Sequence, residues 1–435
     1  MGTETVLNNH ELAKGAAARG APLGWPVWLR ERARAAARTG TGAGAGADAG
    51  LTRIEFPALQ ALYVHVPFCA AICSYCDFAR EIAKPERIER YLAAVAREVS
   101  LTIPAGFAPD TVFFGGGTPS ILDAGQWRRL MSSLAARVDF SRAREVTIEC
   151  NPGTLENGKM TAWLETGVNR ISFGAQSFDP AMLANLGRIH TREEIPAGVE
   201  RARAAGLTNA SIDLIYGLPG QSVADFGETL EIAAALPVEH LSAYALTYEP
   251  GTPFHVMLGQ GQIAACSEDD TGAMYRLAME RLGQRGFVQY EISNYSRGPE
   301  RAAVHNLVYW HRGVCRAVGP SASGFMDGRR TVNERDLTKY CSALEAGRAP
   351  VASEEVLEPA AAVGEAFVLE LRLNEGVDLR RFAVQFGIDP TATRGTQIDL
   401  WQRLGLMEFV PGELLRLTDA GRPVADAMLC EFVEC

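Results

Sequence analysis

The chain has 435 residues, 47% of them hydrophobic, and a formal charge of −10. That length fits roughly two or three domains with real cores, and the acidic balance argues against a broad nucleic-acid surface. No uninterrupted apolar run of about 18 residues occurs, so no membrane span is expected. Nine cysteines, scattered apart from one group, do not form a disulfide framework.

Residues 1–58 read as a low-complexity extension, with Thr, Gly, Ala and Arg dominating 30–50. Arg30, Arg32, Arg34 and Arg38 interrupt any signal-peptide segment, so a disordered or partly helical arm is expected. Residues 59–250 then alternate short apolar strands with amphipathic helices. Strands are expected at Leu62–Val66, Thr111–Phe114, Val146–Glu149, Arg170–Gly174, Ser211–Tyr216 and Leu241–Thr247. Helices are expected at Arg87–Leu101, Gly125–Arg137, Arg192–Ala205 and Val223–Ala235. Repeated β-α units imply a parallel sheet with right-handed crossovers. Periodicity alone leaves open whether it is doubly wound or a barrel.

Residues 251–354 read as helices and short strands covering that unit. In 355–435, a helix at Arg394–Leu404, a hairpin and a further helix give a winged-helix-like pattern. Its acidic Glu408, Glu413 and Asp419 make it a poor reader of a DNA groove, so packing against the barrel is its expected role.

Cys69, Cys73 and Cys76 follow the first strand with the spacing C-x3-C-x2-C. The next cysteine is Cys150, so a four-ligand structural zinc site is not complete locally. Three thiolates on a four-iron cluster leave one iron without a protein ligand, and an open metal position is where a ligand binds or chemistry occurs. Gly115, Gly116, Gly117 and Thr118 follow the second strand, where glycines let backbone N–H groups approach a ligand. Glu149 ends the third strand and Gln176 follows the fourth. Asp213 lies inside an apolar strand, costly unless paired or functional, with Arg188 or a ligand hydroxyl as its candidate partner. Arg188 itself suits a carboxylate through its paired donors.

The run Tyr63–Phe78 resembles the radical S-adenosylmethionine (SAM) superfamily, in the branch that holds the oxygen-independent coproporphyrinogen III dehydrogenases and the HemW haem chaperones. That resemblance implies an α/β fold, a partial (β/α)6 TIM-like barrel with a C-terminal winged-helix-like domain. It also implies a [4Fe-4S] cluster on Cys69, Cys73 and Cys76, with SAM chelating the open iron. Tyr63, Tyr75, Gly116, Gly117, Thr118, Glu149, Gln176, Arg188 and Asp213 match SAM-site positions. Chemistry in barrels gathers at the C-terminal ends of strands, where these motifs fall. Dehydrogenases of the branch usually carry a fourth cysteine two residues after the third, and this chain has Phe78 there, as HemW proteins do.

His305–Trp310 matches the branch's H-N-x-x-Y-W run. His305, Tyr309 and Trp310 are therefore candidates for axial ligation of haem and stacking on it. The alternative is a capped loop with both aromatics in the core. The resemblance implies a haem chaperone with a haem-accepting partner and an electron donor, in the cytoplasm, with peripheral contact to a membrane acceptor compatible. A coproporphyrinogen III dehydrogenase and a radical SAM C-methyltransferase are the enzymatic alternatives.

Overall fold

The computed structural model describes residues 59–432, so the extension 1–58 lies outside the described residues. Six parallel strands form its centre: β1 Gln60–Val66, β2 Thr111–Gly116, β3 Glu145–Cys150, β4 Arg170–Gln176, β5 Asn209–Tyr216 and β6 His240–Ala245. The helices α1 Pro85–Thr102, α2 Ala124–Ala135, α3 Asn157–Glu165, α4 Glu194–Ala205 and α5 Val223–Ala235 link them, and α6 Glu268–Gln284 follows β6. Local chemistry sets these boundaries. Asp123 and Ser222 cap α2 and α5 in reciprocal boxes with Gln126 and Asp225. Gly206, at φ +109°, ends α4 in the left-handed region that glycine tolerates.

Strand alternation separates two environments. On β1, Leu62, Val64 and Val66 join the core shared with the helices, whereas Ala61 and Tyr63 pack with Phe113 on the inner face. The inner face is unusually polar for a sheet interior. Thr111, Glu145, Thr147, Arg170, Ser172 and Ser211 are all buried.

The barrel does not close. After β7 Val288–Glu291, β8 Asn294–Ser296 and α7 Val304–Trp310, strand β9 Val314–Val318 pairs parallel to β1. Then β10 Ser323–Met326, β11 Arg329–Asn333, α8 Leu337–Glu345 and β12 Val351–Val356 follow. The strands β10, β11 and β12 continue the sheet antiparallel, while β8 and β7 extend its other edge from β6, giving 12 strands in all. Segment 251–354 reads in sequence as a cover over the barrel; in the structure all of its strands join the sheet. Such short strands carry too little alternation to reveal their partners.

The C-terminal unit comprises α9 Pro359–Leu371, β13 Val377–Asp378, α10 Leu379–Phe386, α11 Pro390–Arg403, β14 Met407–Val410 and β15 Leu414–Leu417, with the small sheet ordered β13-β15-β14. Phe367, Phe382 and Trp401 fill its core. Asn374 Nδ2 donates to the Gln289 carbonyl at 2.6 Å, fixing the unit to β7. Among the described residues, no helix is long and apolar enough to cross a membrane.

Candidate cluster and cofactor site

The cysteine loop leaves β1 at Pro67 and is held at several points. Glu81 N–H donates to the Pro67 carbonyl at 2.7 Å and Ala83 N–H to Cys69 at 2.9 Å. Ser74 N–H reaches the Leu186 carbonyl at 3.0 Å, and Phe254 N–H reaches Ser74 at 2.9 Å. His65 braces the loop from below. Its Nε2 donates to the Ala79 carbonyl at 2.8 Å, while Nδ1 accepts from the Tyr63 hydroxyl at 3.1 Å. Burial lowers the imidazole pKa to about 4, so the ring is neutral and keeps this tautomer.

Cys69, Cys73 and Cys76 line one cavity at the C-terminal rim of the strands. Thr118 Oγ1 donates to Cys69 Sγ at 3.6 Å, and Arg188 Nη1 donates to Cys73 Sγ at 3.3 Å. Burial raises the Cys69 thiol, and raises Cys76 to about 12, while the Arg80 guanidinium pulls both down. Both thiols keep their protons until a metal displaces them. Among the described residues, no three His, Cys, Asp or Glu side chains converge tightly enough for a single ion. Three thiols spread around one cavity fit a cubane, which is broader than one ion.

Opposite the thiols stands the glycine loop. Gly116 has φ +110°, and a Cβ there would lie 2.6 Å from the His65 ring. A Cβ on Gly117 would lie 2.8 Å from the Phe68 carbonyl oxygen. Only glycine lets this backbone rest on the cysteine loop. Gly116 N–H donates to Glu149 Oε2 at 3.2 Å. Burial raises the Glu149 pKa, and the nearby Asp213 charge adds to the effect.

Gln176 is a non-glycine residue at φ +67°, where the β4–β5 register shifts. Strained backbone held by its surroundings is characteristic of ligand sites. Its Oε1 is buried and has no partner among the described residues, as is true of Nε on Arg188 and on Arg80. All three residues line the cavity. Spare donors and a spare acceptor in a wall that also carries Glu149 and Asp213 fit a small zwitterion with hydroxyl groups, as SAM is. The residues present therefore fit both the cluster and SAM.

Of the residues expected to hold SAM, Tyr75, Gly116, Gly117, Thr118, Glu149, Gln176, Arg188 and Asp213 line this cavity. Tyr63 does not; it lies on the inner face, stacked 6.2 Å from Phe113, with its hydroxyl on His65. Arg188 is not the partner of Asp213. It donates to Gly174 at 2.6 Å and to Cys73, and Ser172 Oγ serves Asp213 at 2.9 Å. Arg80 went unnoticed in the sequence, where its one signal is a cation four residues past Cys76. Cys150 packs in the helix-facing core, its thiol on the Asn151 carbonyl at 3.3 Å.

His305 is placed elsewhere and differently. Helix α7 sits at the N-terminal ends of β2 and β3, where Glu145 accepts the His305 N–H at 3.0 Å. Its Nδ1 bonds Thr111 Oγ1 at 2.8 Å and its Nε2 bonds the Tyr309 hydroxyl at 2.7 Å. The ring is fully buried against Phe113, 5.1 Å between centroids. Both nitrogens are committed, so His305 in this structure is a floor residue of the barrel and not an open iron ligand. Tyr309 is its partner, and Trp310 is buried.

A three-thiolate site on the strand-end rim of an open parallel barrel defines the class of the radical SAM proteins. The Radical SAM superfamily model matches residues 63–233, and the HemN C-terminal domain model matches 357–424. The solved structure of coproporphyrinogen III oxidase (HemN) from Escherichia coli shares the fold, with a TM-score of 0.75 at 24% identity over 86% of this chain and 90% of that one. The chain is 34% identical to "Heme chaperone HemW" of Bacillus subtilis, over 76% of this chain and 87% of that protein. It is also 34% identical to "Heme chaperone HemW" of Lactococcus lactis, over 86% and 97%. The chain belongs to the HemW family.

Proposed function

We propose that this chain is a haem chaperone, binding haem beside a [4Fe-4S] cluster and SAM and passing haem to an acceptor protein. The observation that carries this reading is the match along nearly the whole length of proteins named for that role, at 34% identity. Phe78, where the dehydrogenases of the branch carry a cysteine, supports it.

Each residue contributes in a definable way. Cys69, Cys73 and Cys76 hold the cluster; Thr118 and Arg188 donate to the sulfurs of Cys69 and Cys73 and favour thiolate. The cluster, when bound, supplies an iron with an open position and a store for an electron. Arg188 and the glycine loop offer donors to a carboxylate, and Gln176, Glu149 and Asp213 offer acceptors to an ammonium and hydroxyls. The thiolates call for a reducing compartment, so we place the protein in the cytoplasm, supplied by an electron donor and meeting an acceptor that is soluble or membrane-bound.

Anaerobically reconstituted protein tests this reading. Stable haem binding, transfer of that haem to an apo-acceptor, and no conversion of coproporphyrinogen III are expected. Formation of protoporphyrinogen with cleavage of SAM would replace the chaperone with the dehydrogenase, and methyl transfer to an aromatic acceptor would replace it with a methyltransferase.

A further inference from the structure

A second cavity, about 450 Å³, adjoins the first and shares Tyr75, Cys76 and Phe78 with it. It lies between the ends of β5 and β6, helix α6 and the C-terminal unit. Tyr216, Tyr244, Tyr275, Leu246 and Ile292 make it largely aromatic and apolar. Among the described residues, its only lining cations are Arg372 and Arg422.

Both arginines are placed with donors to spare. Arg372 is 9% exposed; its Nη1 pairs with Asp426 at 3.0 Å, and its Nε has no partner among the described residues. Arg422 Nη1 pairs with Gln289 Oε1 at 3.1 Å and Asp419 at 3.0 Å, and its Nε is likewise buried and unpartnered. Each guanidinium is paired with a carboxylate that is itself mostly exposed, Asp426 or Asp419, so solvent screens the pair and the buried charge is only partly offset. The acidic residues of the same wall are Asp77, Glu249, Glu268 and Asp426, the last paired with Arg372. An apolar chamber with paired guanidinium groups suits a flat, mostly hydrophobic molecule bearing carboxylates.

Among the described residues, the wall contains no histidine and no methionine. Burial raises the pKa of Tyr216, Tyr244 and Tyr275, so phenolate ligation is disfavoured. Cys266 is a free, partly exposed thiol on that wall, distinct from the cluster cysteines, and thiolate is an established axial ligand of haem iron.

We infer that this second cavity is the haem site, with the propionates on Arg372 and Arg422 and Cys266 as the iron ligand. The inference rests on the haem-chaperone reading and gives it a location, one that puts the porphyrin against the cluster loop.

The test is a haemin titration of the cluster-loaded full-length chain under anaerobic conditions, followed by the Soret band. The Arg372→Gln, Arg422→Gln double variant is expected to weaken binding at least tenfold. Cys266→Ser is expected to shift the Soret band, and Gly272→Phe to block binding by filling the chamber. A Cβ on Gly272 meets only the far end of Arg276, so the added side chain starts without a backbone clash and the variant is expected to fold. Iron content and far-ultraviolet circular dichroism verify this for every variant. If the unsubstituted chain binds haem and folded Gly272→Phe and Cys266→Ser match it in affinity and spectrum, the location is wrong and the chaperone reading stands. If the unsubstituted chain binds no haem, the chaperone reading falls and the inference falls with it.

Discussion

The guanidinium of Arg372 lies 4.7 Å from the centroid of the Trp310 ring. Trp310 closes the His305–Trp310 run, and Arg372 lines the chamber beside the cluster. The run thus reaches that chamber indirectly, through a cation stacked on its last residue, a contact worth about 0.5–2 kcal/mol. Trp310→Leu is expected to lower haem affinity several-fold while cluster iron is retained, with a loss of stability of a few kcal/mol typical of truncated core aromatics. Trp310→Phe should restore most of the affinity. Haem titration and thermal unfolding of the two variants check this.

The cluster assignment rests on Cys73 as firmly as on its neighbours. Cys73→Ser should remove the iron-derived absorption near roughly 400 nm and most of the bound iron. Unchanged iron content in that variant would reject the ligand set.

Gln176 holds a left-handed backbone and an unpartnered buried Oε1. Gln176→Asn keeps a residue that tolerates φ above zero but withdraws the amide from the cavity. SAM affinity of the cluster-loaded protein should fall about tenfold, equivalent to about 1.4 kcal/mol, with iron content constant. Equal affinity in an isothermal titration would remove Gln176 from the site.

His305 should behave as a structural residue. Burial holds its pKa near 3 against 6.5 in the unfolded chain. A depressed histidine pKa means that the unfolded state takes up the proton first as pH falls. Its stabilising contribution is complete above pH 6.5 and is lost progressively toward pH 3. At pH 5.5 the loss amounts to about 1.4 kcal/mol. His305→Gln should cost stability at pH 7.5 and show a smaller drop between pH 7.5 and 5.5 than the parent does. Denaturant titrations at the two pH values measure both effects.

Glu98 acts in the opposite direction. It is buried, accepts from Gly319 N–H at 2.8 Å, and bonds Asn333 Nδ2 and the Tyr340 hydroxyl. Burial raises its pKa from 4.5 to about 7. Tyr91 and Tyr340 are the titratable neighbours coupled to it, both held protonated by burial. The folded state therefore keeps the proton longer than the unfolded chain, and this contribution is complete below pH 4.5 and lost as pH rises through about 7. A Glu98→Gln variant should gain stability relative to the parent as pH rises from 5 to 8, by up to about 3 kcal/mol.

The strand and helix positions of 59–250 were legible because each strand is a short apolar run and each helix is one-sided, patterns that burial imposes on sequence. The rim site was legible for a related reason. Strand ends place Cys69, Gly116, Glu149, Gln176 and Asp213 on one edge once the strands are known to be parallel. The partners of Tyr63 and His305 were not legible, because a side chain's partner depends on which elements meet. The Tyr63 hydroxyl bonds His65, and Thr111 with Tyr309 occupies both nitrogens of His305. The open edges of the barrel, and the chamber where Arg372 and Arg422 meet the cluster loop, join residues hundreds of positions apart. Local sequence fixes what a segment prefers to form. Only the packing of distant segments decides which buried charges face an empty space.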